Sequence, residues 1–61
     1  MNALKELRSE SGLTQEEYAK KIGISLSALA KMEQGIRRPS VKTAKMIANK
    51  LGISWTIFFE Q

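Results

Sequence analysis

The stretch Gln15–Gly35, QEEYAKKIGISLSALAKMEQG, decides the fold. Tyr18, Ala19 and Ile22 recur at helical spacing, and Gly23 closes that segment. Thr14 and Glu17, just ahead, have the spacing of a capping box, which sets the start of the helix. Ser25 is a cap for the next helix, whose inward residues are Leu29 and Met32. Two helices separated by so short a turn must cross steeply. The small Ala19 permits the approach, and Ile22, Ile24 and Leu29 fill the space around the turn. At about 100° per residue, Ala28, Leu29 and Met32 share one side of the second of these helices, with Glu33 at its edge. Ser27, Ala30 and Lys31 lie on the other side, with Leu26 at the boundary. That outward side is slim, as a helix that enters a major groove must be.

Outward from this stretch the same punctuation continues. Gly12, Gly23, Gly35 and Gly52 each follow a helical segment, and the single proline, Pro39, precedes a capping Ser40. No segment alternates as a strand would, so an all-α fold of five helices is expected. The first runs from about Asn2 to Ser11 with Leu4 and Leu7 inward. The second starts at Thr14 and the third after Ser25. The fourth starts after Ser40 and buries Val41, Ala44, Ile47, Ala48 and Leu51. The fifth is short, from about Ser54 to Phe59, with Ile53 and Phe58 in the core. Residues 1–61 are expected to form one domain, near the lower limit for a core without staples.

The 61 residues include no cysteine and no histidine. That removes disulfides, the usual zinc ligands and the commonest acid–base catalyst. There is no Gly-rich phosphate loop and no pair of carboxylates placed for catalysis, so no catalytic residue, metal or cofactor is expected. The longest apolar run is too short to span a bilayer, and no secretory leader is visible, which makes the cytoplasm the expected compartment. A net charge of +4 favours an anionic partner, although charge of this size also serves solubility. Lys5, Glu6, Glu10, Glu16, Glu17, Lys20 and Lys21 read as solvated surface.

LKELRSESGLTQEEYAKKIGIS, LAKMEQGIRRPS and AKMIANKLGIS together resemble the Cro/CI-type (XRE-like) helix-turn-helix repressors of phages and bacteria. The likeness covers about Leu4 to Phe59. TQEE, the Ala19–Gly23 pair, the E-x-G after the third helix and the P-S start of the fourth all fall in register. The resemblance implies a compact five-helix lambda-repressor-like domain with helices 2 and 3 as the helix-turn-helix. It implies a sequence-specific regulator, a homodimeric repressor of phage or bacterial type, that sets residues 26–33 into the major groove of a double-stranded DNA operator. No membrane or small-molecule partner is implied.

Carried over residue by residue, the likeness assigns base contacts to Leu26, Ser27, Ala30 and Lys31. Lys31 would donate to guanine, and Ser27 would reach a base or a phosphate. Leu26 departs from the family, which favours a polar residue there. It either touches a thymine methyl or packs on the second helix. Gln15, Arg37, Arg38 and Lys42 are implied phosphate contacts, the alternative for each being a solvated surface. Ser25 is implied as a further one, beside its capping role. Arg8 and Glu33 match the family's ion pair between the first helix and the end of the third. Ile57 replaces a usual acidic or polar residue. Beside Trp55 and Phe59 it suggests a hydrophobic patch for a two-fold dimer, with reading helices about 34 Å apart. The alternative is that Trp55 and Phe59 fold back over the fourth helix. An antitoxin or protein-interaction module on the same fold is the rival function, though no additional toxin-binding segment is visible. No sensor domain fits this length, so control would come from concentration and dimerisation.

Overall fold

A computed structural model describes residues 2–59. It contains α1 (Ala3–Ser11), α2 (Gln15–Ile22), α3 (Leu26–Glu33) and α4 (Val41–Leu51), followed by a single 3-10 turn, Trp55–Phe58. Residues 1, 60 and 61 lie outside the described part.

Each α-helix starts on a side chain that satisfies a free backbone N–H. Lys5 N donates to Asn2 Oδ1 at 3.1 Å, Ala28 N to Ser25 Oγ at 3.0 Å and Thr43 N to Ser40 Oγ at 3.1 Å. At α2 the exchange is reciprocal. Glu17 N donates to Thr14 Oγ1 at 3.1 Å, and Thr14 N donates to Glu17 Oε1 at 3.0 Å. The bonds from Thr14 also hold the Glu17 carboxyl below its ordinary pKa. Each such cap stabilises a helix by about 1 kcal/mol, a considerable share for helices of eight to eleven residues. Asn2 and Thr14 are therefore caps rather than the first helical residues.

Gly23 shows why the turn between α2 and α3 needs glycine. Its φ is +79°, a left-handed conformation that residues with a Cβ rarely adopt. The left-handed residue lets its N–H return to Ala19 O at 2.9 Å, which ends α2 and frees the chain to start α3 at Leu26, three residues later.

The core gathers Leu4 of α1, Tyr18, Ala19 and Ile22 of α2, Leu29 and Met32 of α3, and Ile47 of α4. Leu7, Leu13, Ile24, Ala28, Leu51 and Phe58 pack around it. Ile22, Leu29 and Ile47 are completely buried, and each contributes about 1.5–3 kcal/mol through removal of its side chain from water.

Two expectations need correction. Val41 is 49% exposed rather than buried. The inward stripe of α4 begins only at Ala44, and Val41 occupies the first turn before that stripe reaches the core. The fifth helix is a four-residue 3-10 turn, closed by Ile57 N to Ser54 O at 3.4 Å and Phe59 N to Thr56 O at 3.0 Å. Thr56 and Ile57 are β-branched and Trp55 and Phe58 aromatic, all poor helix formers, and four residues are too few to propagate an α-helix. Glu33, at the edge of the inward side of α3, is 8% accessible.

Candidate nucleic-acid interface

The outer side of α3 is open. Leu26 is 46% exposed, Ser27 and Lys31 are exposed, and Ala30 is half-buried. Leu26 is therefore not buried against α2, although part of the residue is covered. Opposite this face, Leu29, Met32 and Glu33 are buried. One face is thus given to the core, leaving the other unobstructed by the described residues.

Beside the burial of Leu29 and Met32, polar contacts fix the end of α3. Arg8 Nε lies 2.6 Å from Glu33 Oε2, and Arg8 Nη2 donates to Glu33 Oε1 at 3.1 Å, a two-pronged contact from α1. Arg8 Nη1 also donates to Leu13 O at 3.2 Å. Gln15 Nε2, from the first turn of α2, donates to Glu33 Oε1 at 3.1 Å. Asn2 Nδ2 donates to Met32 O at 2.6 Å and Glu33 O at 3.2 Å. The C-terminal end of α3 is therefore tied to both α1 and α2. Burial pushes the Glu33 carboxyl up, but the bonds from Arg8 and Gln15 and the charges of Arg8 and Lys5 outweigh it. The net result is a pKa below the ordinary value. The bond to Glu33 also raises the Arg8 guanidinium further into its charged range. No buried side-chain polar atom among the described residues lacks a partner.

The structure thus joins Gln15 to the Arg8–Glu33 pair, a link the sequence reading missed. Gln15 remains at the start of α2, but its amide is turned inward and half-buried rather than standing free in solvent. No local signal marks this contact, since it joins the start of α2 to the end of α3. Asn2, read as helical, was a second missed tie. Its residue type is a preferred cap.

After α3 the chain doubles back sharply. Lys31 O accepts from Ile36 N at 3.0 Å and Arg37 N at 3.2 Å, while Gly35 N donates to Met32 O at 3.2 Å. The resulting loop is pinned to the end of α3 and projects Arg37 and Arg38 into solvent. Ile36, 72% exposed, stands beside them. Lys31, Arg37, Arg38 and Lys42 are exposed and form no ion pair among the described residues. Ser25 and Ser40 spend their hydroxyls on helix caps.

At the C-terminal corner Trp55 and Phe59 meet edge to face, with centroids 5.9 Å apart and planes at 74°. The Lys45 ammonium sits 5.1 Å from the Trp55 ring centre, and the Arg38 guanidinium 5.9 Å from that of Phe59. Both rings are half-buried, and α4 supplies the lysine over one of them. Ile57 is separated from this pair in its surroundings. It lines a cleft of about 190 Å³ with Asn2, Arg37, Pro39 and Phe58.

No group of three or more potential metal-ligating side chains occurs among the described residues, and no helix there is long and apolar enough to cross a membrane.

Two adjoining helices with a left-handed glycine in the turn, and an open face on the second of them, define a helix-turn-helix protein. Residues 4–58 match the helix-turn-helix family, and the chain belongs to it, with the Cro/CI (XRE) type of motif. It is similar to YqaF, an HTH-type transcriptional regulator of Bacillus subtilis, at 51% identity over 93% of this chain and 75% of that protein. It is 41% identical to an HTH-type transcriptional regulator of Methanothermobacter thermautotrophicus over 80% of this chain and 71% of that protein. Antitoxin HipB of Escherichia coli is 38% identical over 92% of this chain and 60% of its own length. No solved structure gives a significant match.

Proposed function

We propose that the chain acts as a sequence-specific regulator of transcription, binding duplex DNA with α3 in the major groove. The observation that carries this reading is the open, slim face of α3, held rigidly from behind by the Arg8–Glu33–Gln15 cluster. Leu26, Ser27, Ala30 and Lys31 face base edges. Arg37, Arg38 and Lys42 meet phosphates, and Ser25 and Gln15 lie at helix starts where backbone N–H groups favour an anion. Similarity to two proteins named as transcriptional regulators supports the same reading.

The working form in this proposal is a cytoplasmic homodimer that represses, formed from single-domain chains. Trp55, Ile57 and Phe59 supply its contact, and the partial exposure of all three side chains supports that choice. Selection from a random duplex pool tests DNA binding. An enriched motif is expected, and its affinity should fall with salt by a slope of about −0.9 for each neutralised phosphate. No enrichment and no salt dependence would overturn it. Sedimentation tests the dimer: a monomer at high micromolar concentration, with Ile57→Glu unchanged in mass, removes it.

The likeness to Antitoxin HipB favours a second reading, a module that grips a protein partner with the same fold. Under that reading a purified protein partner binds the chain tightly, whereas the random duplex pool yields no motif.

A further inference from the structure

The outer face of α3 divides lengthwise. Leu26 and Ala30 are one helical turn apart, as are Ser27 and Lys31, and the two rows lie about 100° apart around the axis. One row is wholly apolar and the other carries a hydroxyl and an ammonium group. The apolar row is not a consequence of the core. Leu26 is 46% exposed, it follows the Ser25 cap rather than forming it, and the buried positions of α3 are Leu29, Met32 and Glu33. Exposed Lys31, Arg37 and Lys42 give the chain the charge to hold this leucine against an anionic polymer despite its lack of hydrogen-bonding groups.

Resting on the DNA-binding reading above, we propose that Leu26 and Ala30 recognise the 5-methyl group of pyrimidines. The preferred duplex then carries thymine opposite this row, and 5-methylcytosine can substitute through the same methyl. Among the four bases only thymine places a carbon group in the major groove. Guanine, adenine or unmethylated cytosine facing Leu26 would lose water from a nitrogen or oxygen with no methyl burial to offset the loss, so the leucine disfavours them as well as attracting thymine. Leu26 and Ala30 are separated by about 6 Å along the helix, less than two base steps of about 3.4 Å. The two side chains therefore reach methyls on base pairs one or two steps apart. Specificity on this row depends on shape and methyl burial, and Lys31 is the long donor on the other.

The probe is the duplex enriched from a random pool by the unaltered chain, with each thymine replaced singly by deoxyuridine, which deletes the methyl alone. At one or two positions of each half-site, affinity should fall about four-fold, as burial of one methyl implies. Leu26→Ala should bind more weakly and be nearly indifferent to deoxyuridine at the position it contacts. Leu26→Gln should shift selection at that position from thymine to adenine. If 5-methylcytosine replaces a contacted thymine, with guanine as its partner, it should recover binding that unmethylated cytosine lacks. Tight duplex binding with every deoxyuridine substitution neutral overturns the methyl assignment and leaves DNA binding intact. Failure to enrich any duplex overturns both.

Discussion

Each side of α3 carries one residue out of the usual order. Its inward side buries a carboxylate, Glu33, at 8% accessibility, while its outward side leaves a leucine, Leu26, 46% exposed. An ordinary surface helix does the opposite. The difference shows that hydrophobicity alone does not assign position on this helix. The buried charge has directional partners on α1 and α2, so it fixes orientation in a way that apolar packing does not. The exposed leucine contributes little to folding and is free to serve contact with another molecule.

The strongest challenge to this contrast replaces one leucine on each side. Leu29→Ala opens a cavity in the core and should cost about 2–5 kcal/mol. Total stability for a chain of this length is of the order of 3–9 kcal/mol, so the circular-dichroism melt should be largely lost at 37 °C. A normal melt would show that the inner side is not the structural one.

Glu33→Gln comes next and should lower the melting temperature by roughly 5–10 °C, because it leaves Arg8 without its counter-charge. Its pH dependence sharpens the point. Glu33 has a lower pKa folded than unfolded, so its contribution is complete above the unfolded value of about 4.3. It disappears as pH falls through the folded value, because the unfolded chain binds the proton more readily. In acid titrations followed by melting, the unaltered chain should lose stability over that interval, and the difference from Glu33→Gln should shrink. A constant difference down to the lowest pH would show that the carboxylate charge plays no part.

On the outer side, Arg37→Ala should leave the melt unchanged and weaken binding to all duplexes alike, with the salt slope reduced by about 1. Loss of selectivity with an unchanged slope would move Arg37 from phosphate to base. The smallest effect is expected for Leu26→Ala, within about 0.5 kcal/mol in stability. A large drop in its melting temperature would place Leu26 among structural residues and erase the contrast between the two sides.

Much of this architecture was legible before any coordinates. Glycines after periodic segments and Thr14, Ser25 and Ser40 before them placed the helix ends, since those signals are local. Arg8 and Glu33 were paired through family likeness, and the structure has them in contact at 2.6 Å. Gln15 was harder to read. A half-buried amide bonded to a carboxylate depends on how three helices meet, and nothing in its own neighbourhood shows that. Val41 failed for a related reason. Periodicity gives a stripe on a helix but not where along the helix the covering layer stops. The 3-10 turn followed from competition between aromatic packing and too short a segment, which an apolar count does not resolve.

The aromatic corner has a practical consequence. The chain has one tryptophan, and it lies edge-on to Phe59 beneath the Lys45 ammonium. Its ultraviolet emission therefore comes from this corner alone. Dilution through a self-association equilibrium, or titration with a duplex that draws Arg38 off its ring, can be followed as a change in colour or intensity without attaching a dye.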